Sequence, residues 1–181
     1  MRVRKFFTVM SRPRVFVPAG LIIVLAIAFV AIWFQPQKLF IDDKVNEALP
    51  TASSSPTSPG RGETTSSTPP PPIDLATGTF TSLDHTTSGT VRVVELADGT
   101  RVVRLEDFET ENGPDLFVYL STTEVGGSEQ SFDDDFVNLG RLKGNIGNQN
   151  YVVPREVDLG KYASVVIWCD RFDSGFGVAP V

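Results

Sequence analysis

The C-terminal part of the chain, from about residue 73 to residue 181, alternates β-branched and aromatic residues with polar ones in short runs. A period of two is the pattern of a half-buried strand, whereas a surface helix repeats its apolar residues every three to four positions. Turn-forming residues separate the runs, and Asp98-Gly99 between two of them is a hairpin signal. The pattern predicts eight strands, at residues 77–81, 90–96, 101–105, 115–120, 136–139, 151–153, 164–169 and 176–179. We therefore expect an all-β domain over residues 73–181, built as an antiparallel sandwich or a barrel-like sheet.

A second pattern occupies residues 15–34, which read VFVPAGLIIVLAIAFVAIWF and contain no charged side chain. At 1.5 Å per residue, a helix of this length spans the roughly 30 Å hydrocarbon core of a bilayer. Residues 1–14 carry five basic and no acidic side chains, and positive charge favours the cytoplasmic side. The sequence thus predicts a cytoplasmic basic tail, a transmembrane signal anchor at 15–34 and an extracytoplasmic C-terminal domain.

A cleaved signal peptide shares the basic start and the apolar run. Its cleavage site needs small residues, but this run ends in Trp33, Phe34 and Gln35. We therefore predict an uncleaved anchor that contacts membrane lipid, and a single-pass protein of the cell membrane.

Two segments of different composition connect the predicted anchor to the predicted domain. Residues 35–50 are mixed, and Asp42 or Asp43 could cap a short helical turn that Pro50 ends, which predicts a juxtamembrane segment. Residues 51–72 are almost entirely Ser, Thr, Pro and Gly. Because such a composition cannot bury enough apolar surface to offset chain ordering, we predict a disordered linker that serves as a stalk.

The composition excludes several kinds of site. One Cys and one His in 181 residues rule out an internal disulfide, a CxxC motif, a Cys-rich zinc site and a blue-copper site within one chain. The net charge of -6 argues against nucleic acid as a partner. The acidic run at 133–135 lacks the EF-hand spacing and is interpreted as a solvated loop, so no metal site is predicted. No nucleophile elbow or phosphate loop is identified, so the sequence does not indicate a classical enzyme.

Four blocks of the C-terminal domain, occurring in order, carry a resemblance to a known family. They read GTFTSLDHTTSGTVRVV, NGPDLFVYLS, LGRLKGNIGNQNYVVP and YASVVIWCDRFDSGFGVA. Together they resemble the DM13 domain, often called an electron-transfer DM13 module, over essentially all of residues 77–181. The resemblance implies an all-β domain of secreted or surface-attached proteins, with a redox role that has been attributed to one Cys.

The characteristic Cys of the family falls on Cys169. It ends the run 164–169, in which both alternating sets of residues are apolar, as in a central strand covered on two sides. One interpretation is a buried inert thiol, since free Cys is among the most buried residue types. The other is a functional thiol, a haem ligand or an intermolecular disulfide, because an oxidising compartment exposes an odd Cys to such chemistry.

His85, the only imidazole, lies in a polar turn and matches the family arrangement His-x-x-Ser-Gly together with Ser88 and Gly89. It either organises the turn through hydrogen bonds or ligates haem iron or copper. A haem held between Cys169 and His85 is chemically permitted, although the sequence spacing does not indicate it.

Two classes of function follow from these observations. The first is a membrane-anchored extracytoplasmic module with a redox or electron-transfer accessory role, in which Cys169 is the working residue, His85 supports it, and an envelope protein or redox partner is the partner. The alternative is a non-catalytic cell-surface binding or adhesion module that uses the rim loops. The basic start, the short span and the Ser/Thr/Pro linker suggest a bacterial cell envelope as the setting.

Overall fold

The computed structural model describes residues 20, 22–29, 42–50 and 70–181. The chain divides into two compact units, Met1–Phe40 and Ile41–Val181. In the first unit, residues 22–29 are helical, and no helix of the described residues is long and apolar enough to cross a membrane. The predicted basic tail, most of the predicted span and most of the predicted linker lie outside the described residues, so the anchor and the stalk stay predictions.

The second unit is mostly β, and its described residues form two sheets. The strands are β1 (Lys44–Asn46), β2 (Ile73–Thr79), β3 (Thr81–Ser82), β4 (Thr87–Glu95), β5 (Arg101–Thr110), β6 (Leu116–Ser121), β7 (Phe136–Arg141), β8 (Ile146–Val153), β9 (Ser164–Cys169) and β10 (Ser174–Pro180). The first sheet has the order β1-β8-β5-β4-β2, and the second has the order β3-β10-β9-β6-β7. Short 3-10 helices lie at Glu129–Ser131 and Leu159–Lys161.

The prediction of a mostly β domain with largely antiparallel pairing is confirmed, because each of the eight predicted runs overlaps a strand. Among the strands that the structure describes, every pairing is antiparallel except the one between β1 and β8. Closure of the two sheets into a sandwich or a barrel stays a prediction.

The predicted hairpin turn joins β4 to β5. Leu96 donates its backbone N–H to the carbonyl oxygen of Thr100 at 2.8 Å, and Thr100 donates its N–H to the carboxylate of Asp98 at 2.9 Å. Gly99 has a φ of 77°, a conformation that a residue without a Cβ adopts without steric conflict. The Asp-Gly pair therefore sets the register of the hairpin.

Packing on both faces of β9 explains why all of its central residues are apolar. Val165, Ile167 and Cys169 belong to the main hydrophobic cluster, which also contains β4, β5 and β8 residues of the first sheet. Val166 and Trp168 belong to a second cluster on the opposite face of the strand. All six residues of β9 are buried, so the prediction of a strand covered on two sides is confirmed.

The predicted helical turn near residue 42 is wrong, because Lys44–Asn46 form strand β1. This strand pairs in parallel with β8, from Lys44 opposite Ile146 to Asn46 opposite Asn148. A parallel neighbour far along the chain supplies the hydrogen bonds that a local turn would otherwise have made. The described part of the predicted juxtamembrane segment thus lies in the same compact unit as the predicted domain.

Candidate functional site

Cys169 is the last residue of β9 and lies entirely inside the protein, with no exposed surface. It pairs with Leu116 of β6 on one side and with Ser174 of β10 on the other. Its side chain joins the main hydrophobic cluster and carries a free thiol. The residues that follow it, Asp170 to Asp173, form the exposed turn between β9 and β10.

Burial limits what the Cys169 thiol can do in this packing. Thiol exchange requires a thiolate that a partner sulfur can reach, and buried cysteines in apolar surroundings are inert. The thiol does, however, sit at the last paired position before an exposed turn. The Cys169 side chain packs in the main hydrophobic cluster, so a reagent can reach the thiol only when this end of the β9–β10 hairpin and its packing open.

His85 lies at the rim, between β3 and β4, and its side chain keeps 35% of its surface exposed. Its Nδ1 atom is 3.0 Å from Oε2 of Glu111. The ring stacks on Phe176 with a centroid separation of 3.7 Å and an interplanar angle of 20°. The imidazole is therefore held on one edge by a carboxylate and on one face by an aromatic ring.

Glu111 fixes the tautomer of this histidine. Hydrogen bonding from His85, and then from Thr86, lowers the pKa of Glu111 to about 2. The carboxylate is ionised at neutral pH and can only accept, so Nδ1 of His85 carries the hydrogen that is donated to it. In the neutral imidazole, Nε2 then keeps its lone pair, and Nε2 makes no hydrogen bond in the described part of the chain.

The structure links the two predicted site residues only indirectly. Phe176 stacks on His85 and belongs to the same buried cluster as Cys169. Among the described residues, no hydrogen bond or ring contact joins Cys169 to His85 directly. The imidazole is a surface group, whereas the thiol is a core group.

This arrangement does not fit a haem ligated by both side chains. An axial ligand needs open space for the macrocycle beside it, and Cys169 is enclosed by packed apolar residues. Within the described residues, no three His, Cys, Asp or Glu side chains are placed to hold a metal ion. A depression bordered by Thr77, Gly78 and Arg92 lies on the first sheet and includes neither Cys169 nor His85.

Sequence reasoning missed Glu111, which lies 26 residues beyond His85, because no local pattern connects the end of β5 to the turn before β4. It also missed a polar cluster beside the β9–β10 turn. There, Tyr119 donates its hydroxyl hydrogen to Asp170, and burial together with this bond raises the pKa of Tyr119. Burial, and next the nearby Asp173, raises the pKa of Asp133, a member of the predicted acidic loop.

The class of protein follows from these features: a mostly β, two-sheet module with a buried Cys on a central strand and an imidazole at the rim. The family described as Electron transfer DM13 matches residues 79–181, which is more than half of the chain. The chain belongs to this family, as the four sequence blocks suggested. Neither the comparison with curated proteins nor the comparison with solved structures found a match.

Proposed function

We propose that this chain is a membrane-anchored, extracytoplasmic DM13 module with a redox-related accessory role that is exercised through Cys169. The family description supports a redox role, and the basic residues before 15–34 support the orientation in the membrane. The cluster that draws on both sheets supports a β-sandwich as the architecture of the domain.

The observation that carries the proposal is the position of Cys169, the single Cys of the chain, at the last pair of a central strand. When the hairpin end opens, the thiolate attacks one sulfur of a disulfide in an envelope partner. The other sulfur of that disulfide leaves as a thiolate and takes up a proton, which gives a mixed disulfide. The closed state protects the thiol from unselective oxidation.

A thiol-trapping experiment tests this role on the full chain in detergent, without reductant. We expect an aromatic disulfide reagent to label Cys169 slowly, with a rate that becomes independent of reagent concentration as opening becomes limiting. The β-sheet circular dichroism should persist throughout, and the Cys169→Ser variant should not react. A thiol that reacts only at the denaturant concentration of global unfolding would contradict the proposal.

A surface-binding module is the second candidate, and the geometry of His85 favours it. In its neutral form, the half-exposed ring presents a lone-pair nitrogen at the rim beside an ionised carboxylate, and Phe176 holds the ring in place. Such a group can accept a hydrogen bond from a polymer hydroxyl. Cosedimentation with purified cell-wall polysaccharide should then be lost in His85→Ala and kept in Cys169→Ser. Equal binding by both variants would remove His85 from this role.

A further inference from the structure

Residues 42–50, which we name the strap, contact the first sheet through polar groups along most of their length. At its start, Asp43 donates its N–H to Oδ1 of Asn145 at 2.7 Å. The amide of Asn145 also donates to the carboxylate of Asp42 at 3.0 Å and to the carbonyl oxygen of Thr110 at 3.3 Å. Because Asn145 is buried, losing the strap would leave part of its hydrogen-bonding capacity unmet.

Two glycines make room for the strap backbone. A Cβ on Gly144 would collide with the carbonyl oxygen of Asp43, and a Cβ on Gly147 would collide with that of Val45. The loop that contains Gly144 is held by the fully buried amide of Gln149, which donates to the Gly144 carbonyl at 2.7 Å. The surface that receives the strap is therefore shaped by residues of β8 and of the loop before it.

Glu47 anchors the middle of the strap. Its carboxylate accepts from Nζ of Lys143 at 2.8 and 2.9 Å and from the backbone N–H of Asn150 at 2.8 Å. Arg104 donates to its carbonyl oxygen at 3.1 Å. Burial acts to raise the pKa of Glu47, but the bonds from Lys143 and Asn150 outweigh it and leave the pKa below its ordinary value. The carboxylate is thus ionised and paired at neutral pH.

At its C-terminal end, the strap makes one polar contact with β8 and one apolar contact with residues at the β4–β5 hairpin. Asn150 donates to the carbonyl oxygen of Ala48 at 2.8 Å, and Leu49 packs against the cluster of Val94, Leu96 and Val102. The chain becomes part of the sheet again at Ile73, which pairs with Glu95. Since Glu95 lies between Val94 and Leu96, Leu49 and Ile73 both lie beside the same end of β4.

From these contacts we propose that the first sheet carries a binding surface for an extended peptide, and that its occupant is the strap of the same chain, held strongly enough to survive cleavage of residues 51–69. The mode is strand addition to a sheet edge, in which backbone bonds supply affinity and flanking side chains supply specificity. Residue 41 is joined to the domain by the strap. After cleavage beyond the strap, only the contacts of the strap would hold the domain on the N-terminal part of the chain. This inference is independent of the redox role.

The test uses the full chain in detergent, with an N-terminal affinity tag and a specific protease site substituted within residues 55–65. After complete cleavage, verified on a denaturing gel, the sample is captured through the tag. We expect the C-terminal fragment to be retained in native buffer and to elute when urea unfolds the domain. A C-terminal fragment in the native flow-through would overturn the proposal.

A matched pair of glycine variants tests whether the strap surface is responsible. Gly144→Ala places a methyl group against the strap backbone, whereas Gly160→Ala meets only the side chain of Asp158, at 3.4 Å. We expect the cleaved Gly144→Ala protein to lose its C-terminal fragment and the cleaved Gly160→Ala protein to keep it. Equal retention by both variants would contradict the inference.

A change in the strap itself covers the case in which Gly144→Ala does not fold. Glu47→Ala removes the carboxylate that accepts from Lys143 and from the backbone N–H of Asn150. It leaves the residues of β8 unchanged. We expect it to speed release of the cleaved fragment, and an unchanged release rate would count against the proposal. Because the readout is retention through the tag, failure of the thiol-trapping experiment would not affect this result.

Discussion

His85 and Glu111 form a pair across the rim of the domain, with Nδ1 of the imidazole 3.0 Å from Oε2 of the carboxylate. The second carboxylate oxygen accepts the backbone N–H of Thr86, also at 3.0 Å. The carboxylate of Glu111 therefore holds the ring of His85 and also the backbone of the turn that carries His85. The turn before β4 and the end of β5 are joined by this carboxylate.

The pKa of Glu111 provides the first prediction. His85→Ala should raise it from about 2 toward the ordinary value of 4.5, because the largest cause of the lowering is removed while the Thr86 amide remains. The stabilisation from this group is present above the ordinary pKa and is lost as pH falls through about 2. Carboxyl-carbon NMR over this pH range measures the change. His85→Phe, which keeps an aromatic ring beside Phe176, should show the same rise; an unaltered pKa in either variant would exclude the hydrogen bond as its cause.

The second prediction concerns the Cys169 side chain as a part of the core. Cys169→Ser buries a hydroxyl among apolar groups, so the free energy of unfolding should fall by about 1–3 kcal/mol. Urea unfolding followed by circular dichroism, in buffer without reductant, measures the loss. Cys169→Ala adds no polar group and should lose less stability than Cys169→Ser. The opposite order would show that the Cys169 environment supplies a hydrogen-bond partner.

The third prediction concerns the acidic residues beside the β9–β10 turn. Because the folded state raises the pKa of Asp133, ionisation of this group opposes folding above its ordinary pKa. Asp173→Asn removes a neighbouring charge, and Asn tolerates the φ of 52° at this position. We expect a lower pKa for Asp133 and a gain in stability at pH 7 of up to about 1 kcal/mol. The gain should vanish at acidic pH, where both proteins have a protonated Asp133.

Asp135→Asn is the control for this third prediction. It changes the net charge by the same amount, but Asp135 is not among the largest causes of the raised pKa of Asp133, whereas Asp173 is. NMR titration of the Asp133 carboxyl and thermal unfolding at two pH values compare the variants. Similar effects of both substitutions would indicate a general charge effect rather than a specific contact.

The fourth prediction separates the linker from the strap. Replacing residues 51–72 by a short Gly/Ser linker should leave the thermal midpoint unchanged, since a segment of this composition adds no buried core. Deleting residues 42–50 as well should lower the midpoint, because Leu49 and the polar contacts of Glu47 are then lost. Differential scanning calorimetry makes the comparison. A lower midpoint after linker replacement alone would show that residues 51–72 themselves stabilise the domain.

Much of the fold could be predicted because strand formation leaves a local trace. The alternation in 90–96 and 101–105, together with Asp98-Gly99, located the hairpin that β4 and β5 form. The apolar character of 164–169 on both faces located a central strand and the burial of its residues. In these places the residues that decide the structure are neighbours in the chain.

The candidate site could be predicted only in part. Cys169 and His85 were found as the only members of their residue types, and family blocks placed them in a DM13 domain. Their separation into a core thiol and a rim imidazole depends on which strands become neighbours. Two residues fix the ring of His85 and share no motif with it: Glu111 directly follows β5 of the first sheet, and Phe176 lies on β10 of the second.

The sequence by itself determined the strand-forming segments, the two-sided burial of β9 and the family, because period, composition and local blocks carry that information. Only the tertiary structure decided that residues 44–46 join the first sheet as strand β1 and that residues 42–50 contact it. The bond between Asp43 and Asn145 joins residues 102 positions apart, and the matching groups are polar side chains and glycines without periodic spacing. Contacts of this kind depend on which residues the first sheet brings beside the strap, so no pattern within 42–50 distinguishes a strap from a juxtamembrane turn.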